Sequence, residues 1–388
     1  MLSGAMFWTV IALPWRRKPT KWARIASESS SGSVFPSRPR NRCSVLSEIA
    51  SELSRMTQLY PLRMQPAFDP RPWGTTDLSP IYPEHKFDEK IGEAWLTGDD
   101  CKVANGPLAG CTLAELSEKC GRALVGQAAR DGNRFPLLLK FLFPHDKLSV
   151  QVHPDDADAQ RTGQPWGKTE CWYVAAAKPG SQVAMGLKPG VTRAALQQAI
   201  EEKRAEELLN WINIYPGEMI YVAGGTVHTL GPGPILVETQ QQSDCTYRLY
   251  DYGRPRELHL KEGLAAVKEK VASGKVVRPA PSQIGQTKNT LSPMIRAPYF
   301  VVDQYELKER QTFHTTDEAG GNSVQILVAV EGCGIVEADG MEPVTLAKGD
   351  AAVIPASVPV FGVRPQWGVS FLKAYVPGTV LPEPETRL

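Results

Sequence analysis

The chain has 388 residues and seven cysteines, but no Cys-x-x-Cys pair, no apolar run as long as a membrane span and no strong excess of one charge. The cysteines, at 43, 101, 111, 120, 171, 245 and 333, are odd in number and scattered. That argues against a disulfide framework and against a thiolate zinc knuckle, so they read as reduced thiols of a cytoplasmic protein. The segment "AMFWTVIAL" near the N-terminus is apolar but shorter than the roughly 20 residues a helix needs to cross a bilayer. No basic residue precedes it, which makes it a poor signal peptide. Neither Gly-x-x-x-x-Gly-Lys-Ser/Thr nor a Gly-x-Gly-x-x-Gly after a strand occurs, so nucleotide chemistry is unsupported. The net charge of +1 hides an asymmetry, because residues 1–55 carry nine Lys or Arg against three acids, which leaves −5 on the rest. A mildly acidic body implies no nucleic-acid or anionic-membrane partner.

With 42% hydrophobic residues, the chain can build a substantial core. Residues 15–55 are rich in Arg and Ser and poor in apolar periodicity, and read as a disordered extension or a mis-assigned start ahead of Met56, organellar targeting being a third reading. From Gln58 onward, Gly and Pro punctuate short β-branched and aromatic runs such as "ILVETQ", "VQILVAV" and "AAVIPASVPVFGV". Such a pattern predicts a mainly β fold of sandwich or barrel type. Two helices interrupt it, one near 112–129 that opens on a capping box of Thr112 and Glu115, the other near 192–212 with Thr192 as N-cap. A weak repeat relates "GEMIYVAGGTVH", residues 217–228, to "GDAAVIPASVPV", residues 349–360, and aligns His228 with Val360. We therefore expect two related barrels, over 56–275 and 294–388, joined by a linker at 276–293, with ligand-holding histidine only in the first.

The chemistry concentrates in "LSVQVHPDD", residues 148–156. Alternation along a strand puts Val150 and Val152 on one face and Gln151 and His153 on the other. Glu170 in "GKTECWYV" and His228 in its turn are also polar where the period asks for core. Two neutral imidazoles, a carboxylate and an amide oxygen satisfy one another poorly as hydrogen-bond partners, whereas one divalent cation satisfies all four. Two histidines and a carboxylate with open positions suit catalytic zinc and equally non-haem iron. Lys140, in the apolar run "LLLKFLF", needs an anion beside it, since an unpaired buried ammonium is expensive. Lys168 lies two residues before Glu170, and Arg248 alternates to the same face as Thr246 and Tyr250, where it binds phosphate, stabilises an oxyanion, or pairs with Asp251 or Glu238.

The segments "FPLLLKFLFPHDKLSVQVHPDD", "GKTECWYV" and "GTVHTLGPGPILVETQQQSDCTYRLYDYGR", with the earlier "RPWG" and "GEAWLTG", resemble type I mannose-6-phosphate isomerase in its short bacterial form. The resemblance runs from about Leu59 to the C-terminus and leaves residues 1–55 without a counterpart. It implies two cupin-type (jelly-roll) barrels with a small helical insertion, the second free of metal. It further implies an aldose-ketose isomerase that interconverts mannose 6-phosphate and fructose 6-phosphate through an enediolate, with one Zn2+ per chain. Carried over, the zinc ligands are Gln151, His153, Glu170 and His228; Ser149, Lys140, Lys168 and Arg248 contact substrate; and Arg248, Lys168 and Glu238 are the catalytic positions. An iron-dependent cupin oxygenase and a non-catalytic zinc-binding sugar-phosphate sensor are the rival readings.

Overall fold

The computed structural model describes residues 58–388, and the readings for residues 1–55 lie outside that range. Three sheets carry the fold: one of five strands, one of eight and one of ten. Side chains from the five- and eight-stranded sheets, among them Met185 and Leu230 from the first and Leu142, Trp172 and Leu236 from the second, share one buried cluster, so these sheets pack face to face. The opposite face of the eight-stranded sheet offers Leu139, Phe141, Tyr173 and Val237 to Ile326, Val328, Val353 and Leu372 of the ten-stranded sheet. Covered on both faces, the strand Leu137–Leu142 is buried at every position, which is why it reads as an unbroken apolar run with one lysine in it. The ten-stranded sheet folds over a further core of Leu307, Phe313, Leu327 and Phe371.

Of the two expected helices, one packs Leu113 and Leu116 into the core shared by the eight- and ten-stranded sheets and the other covers the five-stranded sheet. Thr112 caps Leu113–Cys120 through the expected reciprocal box, its Oγ1 accepting from the Glu115 amide at 3.1 Å and Glu115 Oε2 from the Thr112 amide at 3.0 Å. Thr192 caps Arg193–Glu201, and Leu196 and Ile200 of that helix pack on Val150 and Val152. The expectation of helix up to 212 is corrected: the helix stops at Glu201, a short 3-10 turn follows at Ala205–Leu208, and Leu209–Asn213 is an edge strand beside Gln182–Leu187. Its branched and aromatic residues gain more from that ladder than from another helical turn.

The repeat is real at the level of backbone. Gly217 and Gly349 both take positive φ, 85° and 89°, and each precedes a buried strand, Met219–Val222 and Ala351–Ile354. Sheet membership departs from a simple division at 276–293, however. Leu62–Gln65 pairs with Ala351–Ile354 in the ten-stranded sheet, Thr386–Arg387 pairs back onto Gly274–Val276, and Ser282–Gln283 within the expected linker is already a strand. Among the described residues no helix is long and apolar enough to cross a membrane.

Candidate metal centre and cavity

The site lies between the five- and eight-stranded sheets, and strand parity fills it. Val150 and Val152 turn outward to the helices, which aims Gln151 inward; Val227 turns outward while Leu230 and His228 face in. From the other sheet, Leu139, Phe141, Val237 and Cys171 face the ten-stranded layer, so Lys140, Glu238 and Glu170 face the cavity. Register then sets neighbours: His228 stands opposite Gln151, Arg248 opposite Gln151 on its other side, and Glu238 between Lys140 and Trp172. Just past His153, the Asp155 side chain caps the helix Asp156–Arg161, which ends the strand as the "PDD" sequence requires.

His153, Glu170 and His228 bring one donor atom each within 4.8 Å of one another, all buried. His153 Nδ1 lies 3.0 Å from the Cys245 carbonyl and His228 Nδ1 2.9 Å from the Thr226 carbonyl. A carbonyl only accepts, so Nδ1 carries the proton in both rings and each Nε2 presents a lone pair. Both lone pairs face Glu170, His153 Nε2 at 3.4 Å from Oε2 and His228 Nε2 at 3.5 Å from Oε1. His153 Nε2 and Glu170 Oε2 make no hydrogen bond although both are buried. Lone pairs turned toward a carboxylate repel in the absence of a cation, and burial disfavours the charged form of all three groups. Burial, with Lys168 nearby, holds His153 well below the usual histidine range, burial holds His228 down at about 4, and burial plus the Glu238 charge pushes Glu170 up. A divalent cation would bring Glu170 back to its ionised form and hold both imidazoles neutral, the forms in which all three groups ligate. Gln151 lies beside this cluster, its amide nitrogen donating toward His228 Nε2 at 3.3 Å and its carbonyl oxygen, the atom that could ligate a metal, accepting from Ser149 Oγ at 3.1 Å.

A cavity of about 430 Å³ opens beside this cluster and is lined by Lys140, Ser149, Gln151, Lys168, Glu238 and Arg248. All nine residues singled out from sequence thus line the cavity or the adjoining cluster. The anion expected beside Lys140 is double: its ammonium lies 3.1 Å from Glu238 Oε1 and 3.2 Å from Glu93 Oε2. Burial alone would lower this lysine, but Glu238 and Glu93 outweigh it and raise it well above its ordinary value. Glu238 is held from behind by the Trp172 indole N–H at 2.9 Å. Lys168 Nζ stands 3.4 Å from Glu170. Arg248 pairs with neither acid considered for it: Glu238 faces Lys140, and Asp251 is taken by Arg256 at 2.7 Å and Arg254 at 3.3 Å. One Arg248 Nη1 donates to the Glu257 carbonyl at 2.9 Å, and its buried Nε has no partner.

Sequence reasoning missed Glu93, Arg71 and Trp95. Glu93 receives Arg71 Nε at 3.1 Å and the Trp95 indole at 2.7 Å, and burial is again overcome, by Lys140 and Arg71, so that its pKa falls to about 2. The criterion that selected Lys140, a charge inside an apolar strand, applies equally to Glu93 in "IGEAW".

Fold and site together define a cupin-type protein with a metal-capable set of two histidines and one carboxylate. Residues 62–166 match the model of the phosphomannose isomerase type I catalytic domain. The chain is 40% identical over 219 residues to the mannose-6-phosphate isomerase ManA of Bacillus subtilis, covering 53% of this chain and 68% of that protein. Against a crystal structure of mannose 6-phosphate isomerase from Bacillus subtilis it aligns with a TM-score of 0.72 and 32% identity, over 82% of this chain and 99% of that one. A zinc-bound holo structure of a mannose 6-phosphate isomerase shares the fold, with a TM-score of 0.65 at 17% identity over 82% of this chain and 100% of that one. The chain belongs to the type I mannose-6-phosphate isomerase family.

Proposed function

We propose that the chain is a zinc-dependent isomerase that interconverts mannose 6-phosphate and fructose 6-phosphate in the cytoplasm, with His153, Glu170, His228 and Gln151 as the ligands of one zinc ion. The observation that carries this reading is the pair of Nε2 lone pairs aimed at a buried carboxylate whose Oε2 makes no hydrogen bond and has only the Lys168 ammonium, 3.4 Å away, to answer its charge. The donor set fits a metal of borderline softness, and the backbone carbonyls behind both imidazoles hold the rings in the tautomer that ligation needs. When bound, zinc supplies Lewis-acid stabilisation of negative charge on the sugar oxygens.

The protein's own groups divide the remaining work. Lys140, kept charged by Glu93 and Glu238, serves as a fixed cation rather than a base, and with Ser149 and Lys168 it would hold the phosphate. Arg248 reaches the cavity with an unspent guanidinium nitrogen and is placed to stabilise charge at the reacting carbons. Glu238 has both oxygens engaged, by Lys140 and Trp172, and so acts as a positioning residue through Lys140. Metal analysis combined with a coupled assay for fructose 6-phosphate tests the proposal. Stoichiometric zinc and turnover that a chelator abolishes are expected; stoichiometric iron with oxygen consumption, or zinc-loaded protein without turnover, would overturn it.

A further inference from the structure

The strand registers allow the two barrels to be superposed residue by residue, starting from the turn glycines at 217 and 349. Val222 pairs with Glu170, and its counterpart Ile354 pairs with Gln325. Trp172 then pairs with Glu238, where Leu327 pairs with Lys373; and Glu238 pairs with Lys140, where Lys373 pairs with Asp303. On the other sheet His228 pairs with Gln151, and Val360 with His314. In the second barrel, therefore, the carboxylate of the metal cluster is a glutamine, the buried Lys140–Glu238 pair is inverted to Asp303 and Lys373, and a histidine stands where Gln151 was.

These counterparts surround a cavity of about 460 Å³, lined among others by Gln325, Lys373, Asp303, Arg296, Tyr305 and His314. A barrel kept only for packing would fill its interior with apolar side chains. This one buries a lysine, with 7% exposure, above the core of Leu327 and Phe371. Asp303, opposite Lys373 on the neighbouring strand, is turned to Arg296 at 2.7 Å. Asp317, also in the wall, accepts from the backbone amides of Gly321 at 2.6 Å and Gly378 at 2.7 Å, and Glu318 is exposed. The Lys373 ammonium has three N–H groups; Gln325 Oε1 takes one at 2.9 Å, and the Tyr375 ring lies 4.2 Å below. Among the described residues, Arg296 is thus spent on Asp303 and Asp317 on backbone amides, Glu318 stands unpaired at the exposed rim, and the Lys373 ammonium keeps N–H groups free toward the cavity, beside tyrosine and glutamine groups suited to hydroxyls.

We propose that the C-terminal barrel holds a second, metal-free ligand site in this cavity, for a small hydroxylated anion such as a sugar phosphate or sugar acid, with the Lys373 ammonium standing in for the cation. The site does not depend on the isomerase reading. Titration calorimetry of the zinc-loaded full chain with mannose 6-phosphate, and in parallel with inorganic phosphate and with mannose, tests it.

Two equivalents of mannose 6-phosphate per chain are expected for the native protein. Lys373→Met should retain one equivalent and unchanged turnover while the second weakens at least tenfold. Thr316→Trp, which alters an exposed residue at the cavity wall, should do the same without touching the core. The count is repeated on Glu170→Gln protein, so loss of isomerase activity leaves it readable. Inorganic phosphate bound by native protein and lost from Lys373→Met supports the anion seat. A single equivalent in native protein with no phosphate binding, a second equivalent that survives both substitutions, or mannose binding indifferent to Lys373→Met would each overturn it.

Discussion

The Lys140 ammonium and the Glu238 carboxylate meet 3.1 Å apart on neighbouring strands that place the two residues directly opposite each other inside the first barrel. Neither group could be buried alone. With Glu93 added, one lysine answers two carboxylates, and Arg71 completes the balance from the cavity wall. Such a network stabilises little in total, because desolvation offsets most of the Coulomb gain, but it is costly to break from one side.

Lys140→Met should accordingly cost about 3–5 kcal/mol in urea unfolding, since it strands Glu93 and Glu238 in the interior. Adding Glu238→Gln to that variant should restore part of the stability and none of the turnover. Equal stability of the single variant and native protein would show that the pair is solvated and carries no such role.

Acid sensitivity follows from Glu93. Its folded pKa is about 2 against an ordinary 4.5, so the unfolded chain takes up the proton first as pH falls. Stability from this group is whole above about pH 4.5 and is lost as pH drops toward 2, amounting to roughly 3 kcal/mol. Glu93→Gln should lower stability at pH 7 by a similar amount and flatten the acid limb of a denaturation series. An acid limb as steep as in native protein would refute the assignment.

The metal set can be tested by stability without turnover. Glu170→Gln removes a buried carboxylate whose charged form is disfavoured in metal-free protein, so apo stability should hold or rise. Native protein should gain about 4 kcal/mol from zinc at a thousand times its dissociation constant, whereas the variant should lose more than about a hundredfold in zinc affinity and most of that gain. A zinc-induced shift in melting temperature equal to that of native protein would exclude Glu170 as a ligand.

A quieter support lies behind His153. Gly225 donates its amide to the His153 carbonyl at 2.8 Å, and Gly224 is packed so closely on Asp155 that a Cβ there would lie 2.7 Å from the Asp155 Cα. Gly224→Ala should therefore push the end of the His153 strand and weaken zinc binding about 10–100-fold, with all ligands intact. Unchanged zinc affinity would show that the contact relaxes without reaching the histidine.

The cavity-facing residues were legible because burial on one face and chemistry on the other leave a period-two signature: Gln151 and His153 stand out against Val150 and Val152. Glu170 and His228 were found by the same contrast. Leu62–Gln65 was not assignable to the ten-stranded sheet, since its partner lies at Ala351–Ile354 and no local pattern encodes a pairing so distant. The strand at Leu209–Asn213 was hidden for a related reason: apolar spacing in "LLNWIN" suits a helix face as well, and tertiary pairing decides. Lys373 went unremarked in "FLKAYV", although it has the same apolar setting as Lys140.

That parallel gives the last prediction. Burial and the nearby Arg296 pull Lys373 down to about 8 from 10.5, against the opposing pull of Asp303 and Asp317. Between those values the unfolded chain binds the proton more tightly than the folded one, so native stability should rise with pH from about 8 to 10.5. Below pH 8 the lysine costs up to about 3 kcal/mol, which Met at that position would largely recover because it keeps the stem's packing and drops the charge. Lys373→Met should thus be more stable than native protein at pH 7 and show no alkaline rise in a urea series run from pH 7 to 10.5. A less stable variant at pH 7 would mean that the hydrogen bond to Gln325 and the Tyr375 ring outweigh the desolvation of the ammonium. A lysine that destabilises its own barrel is hard to account for by packing, and its position in the cavity wall is where a ligand's negative charge would repay it.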